Sequence, residues 1–235
     1  MERNAADVLT DPPPPPADAR IAYGPGPLQF GDLRSAEGDG LVVVLHGGSW
    51  KATYNLIHLG PLCLVLRDAG IATFNVEYRR VGDPGGGWPG SLEDVLLAIG
   101  HARGLARRVV LVGHSAGGHL ALLAAQRFQL PVIALAAVSD PATWANDAVA
   151  AFFGGKPPDE ASPLAQLPLG VRQVLVHGTH DDAVPFDQSA RYVEAAGGEA
   201  ELIALEGAGH FEPIDALSPE SAVVRDAVAR LLDER

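Results

Sequence analysis

Ser115 stands in the run Gly113-His114-Ser115-Ala116-Gly117, and its neighbours decide what a serine there can do. A serine hydroxyl is a poor nucleophile at neutral pH and needs a base to take its proton. The base in turn needs a third group that fixes its tautomer and stabilises the imidazolium that forms. Two later runs hold candidates: His177-Gly178-Thr179-His180-Asp181-Asp182-Ala183-Val184-Pro185 and Glu206-Gly207-Ala208-Gly209-His210-Phe211. Along the chain the nucleophile Ser115 is followed by an acid, Asp181 or its neighbour Asp182, and then by a base, His210. That is the order found where a serine rides on a strand-turn-helix elbow. The chemistry such a set permits is acyl transfer: attack on a carbonyl, a covalent acyl intermediate, and release of the acyl group to water.

The tetrahedral oxygen formed on the way needs hydrogen-bond donors already in place. The N–H of Ala116, next after the nucleophile, is one. A second source is His46-Gly47-Gly48-Ser49-Trp50, where Gly47 and Gly48 let the backbone approach closely. His46 itself reads as a brace for that loop. Asp140 follows a buried strand and is a further place from which an acid could come; its bland role, like that of Asp182, is in a turn. The eight histidines form no HxxxH pair or Cys/His cluster, so no metal site is expected. Trp50, Trp88, Trp144, Phe152 and Phe153 all fall in expected loops, where aromatic rings either pad a local core or line a pocket and touch substrate. Arg79, just past a strand end, reads as half of a structural pair with a carboxylate.

These residues need a scaffold that brings distant loops together. Val109–Val112 is a compact β-branched run that suits a strand buried on both faces, and His119–Arg127 has the composition of a helix. Leu41–Leu45, Ile71–Val76, Val132–Val138, Gln173–Val176 and Glu201–Leu205 read as further buried strands. Leu56–Ala69, Ser91–Arg103 with Ser91 as N-cap, Asp187–Ala196 and Ser218–Leu232 read as helices. Residues 21–33, punctuated by Gly-Pro, suit one or two edge strands. Residues 140–170 show no strong period and read as a functional loop or small lid. Buried strands alternating with helices mean an α/β fold with a parallel sheet, whose strand carboxyl ends converge on one crevice.

At 235 residues the chain can bury one sizeable core, and no linker or repeat divides it. The expected organisation is a proline-rich arm over residues 1–20 and one domain over 21–235. A formal net charge of −12 argues against nucleic acid or an anionic membrane as partner. Cys63, the single cysteine, sits in an apolar run and reads as a small buried hydrophobe. No apolar leader and no stretch of membrane-spanning length are evident, which makes a cytoplasmic location the expectation.

On these runs the chain resembles the α/β-hydrolases over roughly residues 21–235. His46-Gly47-Gly48-Ser49-Trp50 is similar to the HGG-x-W loop of the esterase and kynurenine formamidase (arylformamidase) group. The resemblance implies a mostly parallel central sheet with helices on both faces and a minimal cap. It implies Ser115, Asp181 and His210 as catalytic triad, the D-x-x-V-P spacing selecting Asp181 over Asp182, with Gly47, Gly48 and Ala116 as oxyanion donors. It further implies hydrolysis of a small-molecule ester or amide without metal or cofactor. Three readings follow: a serine esterase for small carboxylic esters, an arylformamidase acting on N-formylkynurenine-like formamides, and a catalytically silent binding module. All three candidate triad residues are present, which favours the enzymatic readings.

Overall fold

Apolar runs alternate with helices through most of the chain, and the computed structural model, which describes residues 13, 16–144 and 146–234, follows that rhythm. The strands are β1 (Ala19–Ala22), β2 (Phe30–Arg34), β3 (Gly40–Leu45), β4 (Ala72–Val76), β5 (Arg108–His114), β6 (Val132–Leu135), β7 (Gln173–Gly178) and β8 (Ala200–Leu205). The helices are α1 (Gly60–Asp68), α2 (Gly90–Ala102), α3 (Ala116–Phe128), α4 (Asp147–Phe153), α5 (Asp187–Ala196) and α6 (Glu220–Asp233). Among the described residues the strands form one eight-stranded sheet in the order β1-β2-β4-β3-β5-β6-β7-β8. β1–β2 and β2–β4 pair antiparallel, and every other pair is parallel.

The period of two along a strand explains why helices cover both faces. In β3, Leu41, Val43 and Leu45 point to one side, where they meet Leu92, Val95 and Ile99 of α2 and Leu120 of α3. Val42 and Val44 point to the other, against Leu62, Cys63 and Leu66 of α1 and Val224, Val228 and Leu231 of α6. Fully burying each such side chain contributes about 1.5–3 kcal/mol, so the register of the central strands is strongly fixed. The carboxyl ends of β3, β5, β7 and β8 all open on one edge. The loops that leave them carry Gly47 and Gly48, Ser115, Asp181 and His210, in that order.

Several local expectations need correction. β1 starts at Ala19, inside the proposed arm, because Arg20 pairs with Asp32 across the strands at 2.7 Å; most of the five-proline run lies outside the described residues. Helix α2 starts at Gly90, and Ser91 is no cap: it lies within the helix and donates its Oγ–H to the Arg79 carbonyl at 2.6 Å. The segment 56–69 is a 3-10 turn, Leu56–Leu59, followed by α1, with Pro61 in the first turn where its missing N–H is harmless. Residues 140–170 are more ordered than a bare loop. They contain α4, capped by the Asn146 side chain on Ala148 N and Val149 N and closed by Gly154 at φ 67°, and two 3-10 turns. The helix is only seven residues long, too short for its period to stand out.

Candidate active site

Ser115 has φ 54° and ψ −118°, a conformation that costs a non-glycine residue about 1–3 kcal/mol and lasts only where its surroundings over-determine it. They do. Its N–H donates to the Leu135 carbonyl of the neighbouring strand at 2.8 Å, and His119 N caps its carbonyl from the first turn of α3. The flanking glycines make the turn possible: a methyl on Gly117 would lie 2.2 Å from the Leu45 carbonyl, and one on Gly113 2.3 Å from the Gly117 carbonyl. Ser115 is thus held at the tip of β5 with α3 directly behind it. As first residue of that helix, Ala116 has an N–H with no preceding turn to bond to, a donor next to the serine.

His210 and Asp181 meet across the loops after β8 and β7. His210 Nδ1 lies 2.7 Å from Asp181 Oδ2, and both side chains are buried. The loops are registered by Thr179 N on Leu205 O at 3.0 Å and His180 N on Ala208 O at 2.9 Å. Asp181 Oδ1 accepts from Ala183 N and Val184 N at 2.9 and 2.8 Å, while Oδ2 also lies 3.0 Å from His177 Nε2. Burial pushes the Asp181 carboxyl up, but its hydrogen bonds from His177 and His210 outweigh that and hold it well below the ordinary carboxylate range. Asp182 and His180 are exposed. Asp140 is engaged elsewhere, by Thr143 and Ser162. Of the three candidate acids, Asp181 alone touches the histidine.

Ser115 and His210 line one cavity of about 430 Å³. Among the described residues Ser115 Oγ has no hydrogen-bond partner. Serine–histidine contacts in unliganded sites are often long and close only around a substrate. His114, preceding the serine, donates Nε2–H to the His210 carbonyl at 3.0 Å and packs its ring 4.7 Å from that of His210.

The loop after β3 is fastened from behind. His46 Nε2 reaches Glu77 Oε1 at 3.0 Å, its ring stacks on Tyr78 at 4.3 Å, and Tyr78 Oη donates to the His46 carbonyl at 2.6 Å. Glu77 also pairs with Arg80 at 2.8 Å. Gly48, at φ 101°, faces the cavity. Gly47 lies close enough to the elbow that a methyl there would sit 3.0 Å from Ser115 Cβ.

The aromatic residues divide differently from expectation. Trp144 lines the cavity, whereas Trp50, Trp88, Phe152 and Phe153 do not. Trp50 is fully buried and stacks on Phe152 at 4.6 Å; Trp88 packs on Phe153 at 5.6 Å. These four form a small core that bolts α4 to the β3 loop. Cavity walls that sequence reading missed come from Tyr54, His58 and Phe211. Phe211 directly follows the candidate base, His210, and Tyr54 lies four residues after Trp50, so proximity to the candidate loops was the available signal. Arg79 forms the structural pair expected of it, on Asp94 at 2.7 Å. Among the described residues, no three His, Cys, Asp or Glu side chains gather as metal ligands, and no helix is long and apolar enough to cross a membrane.

A model of the BD-FAE family matches residues 34–154, just over half of the chain, from β2 to the end of α4. The chain is similar to Lipase 2 of Moraxella sp. (strain TA144), 33% identical over 143 residues, which cover 58% of this chain and 33% of that protein. It is also similar to the carboxylesterase/phospholipase LipF of Mycobacterium tuberculosis, 28% identical over 262 residues covering 92% of this chain and 68% of the relative. The chain therefore spans about a third of the length of the first relative and two thirds of the second. Among solved structures, a truncated carbohydrate esterase from gut microbiota superposes with a TM-score of 0.76 at 18% identity, over 96% of this chain and 99% of that one. The architecture is the α/β-hydrolase fold.

Proposed function

The chain belongs to the BD-FAE family, and from that premise we propose that it hydrolyses small carboxylic esters through a Ser115-His210-Asp181 triad and an acyl-enzyme. His210 takes the Ser115 proton as Oγ attacks the ester carbonyl, and Asp181 stabilises the imidazolium through Nδ1. Ala116 N–H, with Gly47 and Gly48 from the β3 loop, receives the tetrahedral oxygen; one such donor typically contributes about 3 kcal/mol to the transition state. The imidazolium then returns its proton to the leaving alkoxide, and a water activated by His210 releases the acid. The observation that carries this reading is the 2.7 Å contact between His210 Nδ1 and a buried Asp181, beside a serine held at φ 54° on the wall of the same cavity.

A fluorophosphonate probe should label the wild-type protein once, on Ser115. Ser115→Ala should abolish labelling and lower p-nitrophenyl ester turnover by several orders of magnitude. Labelling that persists in that variant would move the nucleophile elsewhere. The formamidase reading uses the same groups on an N-formyl amide. Turnover of N-formylkynurenine beside a panel of p-nitrophenyl esters separates the two, and kcat/KM should favour the esters. No turnover of either, with Ser115 unlabelled, would leave the binding-module reading.

A further inference from the structure

We propose that His177 is a positioning residue of this site: its Nε2–H, bonded to the Val184 carbonyl, also lies against Asp181 Oδ2, the oxygen that His210 uses, and through that oxygen it sets where the base points and how readily it takes the serine proton. The proposal rests on the reading of Ser115 and His210 just given.

His177 lies near the end of β7 with no solvent exposure. Its Nε2 stands 3.0 Å from the Val184 carbonyl and 3.0 Å from Asp181 Oδ2. Both are acceptors, so Nε2 carries the proton; its N–H bonds the Val184 carbonyl and lies beside the Asp181 oxygen. Nδ1 is then free to accept from the hydroxyl of Ser189 on α5, 2.7 Å away. A line of polar groups results, Ser189–His177–Asp181–His210, reaching from a helix on the flank of the sheet to the base. A histidine kept only for packing would have its nitrogens satisfied by backbone and hydroxyl groups; this one also leans on the acid.

The consequence follows from where the donors fall. Asp181 Oδ1 is fully taken by Ala183 N and Val184 N, so the carboxylate cannot swing. Oδ2 accepts from His210 Nδ1 and has the His177 N–H beside it at 3.0 Å. What His177 draws from that oxygen is withdrawn from His210, and the attraction of Asp181 for the imidazolium is moderated accordingly. Removing the His177 N–H leaves more charge facing His210 Nδ1, stabilises the imidazolium and raises the pH at which the base becomes available.

Other titratable groups stand near this line. His114 packs on His210 from β5, and His58 packs on His114 at 6.5 Å from the 3-10 turn before α1. Glu212 accepts from Gly209 N beside the base, Asp182 and His180 point outward from the acid loop, and Asp187 and Arg191 of α5 face each other at 3.7 Å. Burial pushes the His114 ring down to about 3 and the His58 ring well below its ordinary value, the latter helped by His46 and His114. Neither takes up a proton where the rising limb of activity is read.

The test is the pH profile of kcat/KM for a short p-nitrophenyl ester, with active sites counted by fluorophosphonate labelling, in the full chain and in His177→Phe, His177→Gln and Ser189→Ala. His177→Phe should move the rising limb up by about half to one pH unit and lower kcat roughly tenfold, with KM within about twofold. His177→Gln can place an amide N–H near the lost Nε2 and should bring the limb back. Ser189→Ala should move it the same way by less. A merely structural histidine predicts lost melting temperature with the limb unmoved, and that result in the folded variants overturns the proposal. If His177→Phe does not fold, Ser189→Ala decides alone. An unlabelled wild-type Ser115 would instead remove the active-site reading and this proposal with it.

Discussion

At the scale of single residues, the acid is the sharpest test. Asp181 and Asp182 are adjacent and chemically identical, yet one is buried against His210 and the other faces solvent. Asp181→Asn should lower kcat by about 10³–10⁴-fold by leaving His210 in the wrong tautomer. Asp182→Asn should stay within a few-fold of wild type, and the reverse ranking would refute the assignment. The convergence of the two loops was legible from the chain because they leave strand ends, and the choice of Asp181 over Asp182 rested on the D-x-x-V-P spacing that the resemblance to the α/β-hydrolases brings. The elbow was legible for a harder reason: only glycine fits at Gly113 and Gly117, so the need shows in the letters. The role proposed for His177 was not legible, since a histidine at a strand end looks the same whether it meets a carbonyl or a carboxylate.

Among the elements, α4 and the loop after β3 act together. Ser49 and Trp50 adopt φ 52° and 56°, strain that the Trp50–Phe152 stack offsets from the far side. Phe152→Ala should therefore destabilise the fold by about 3–5 kcal/mol and also lower kcat, because the loop proposed to hold the oxyanion loses its backing. Trp144→Ala, on the cavity wall, should leave the melting temperature nearly unchanged while altering KM. Equal stability loss in both, by thermal denaturation, would show that the aromatic core is not what holds α4. The buried strands could be read from composition to within a few residues, since burial on both faces leaves an unbroken apolar run. The aromatic assignments could not, because a seven-residue helix gives too few turns to tell which face looks inward.

Across the whole molecule, buried neutral histidines set the response to acid. Burial lowers His114 to about 3 and His119 to about 4, the latter partly relieved by its hydrogen bond to the Ala161 carbonyl; His58 is lowered as well. The unfolded chain binds protons on these rings near pH 6.5 and the folded chain does not. Stability is therefore fully present above about pH 6.5 and declines as pH falls toward the folded values, by about 2 kcal/mol for each of His114 and His119 at pH 5. Against a typical total of 5–15 kcal/mol, the melting temperature should drop clearly between pH 7 and pH 5. A flat melting temperature over that range would contradict the burial of these rings. The cavity sets a second global property. A cavity wall that includes Trp144 and Phe211 should favour short acyl chains of about two to four carbons, with kcat/KM falling for longer ones at a constant leaving group. A rise continuing to about ten carbons, each methylene gaining about 0.8 kcal/mol of burial, would make the segment over the cavity a lipid-accepting lid. The stack of Trp50 on Phe152 reaches beyond this one chain. A cap grafted from a larger relative, or a deletion meant to widen the pocket, would strip the indole of its partner unless the β3 loop were exchanged with it. Substrate range in such a scaffold is heritable as a pair of segments that must be recombined together.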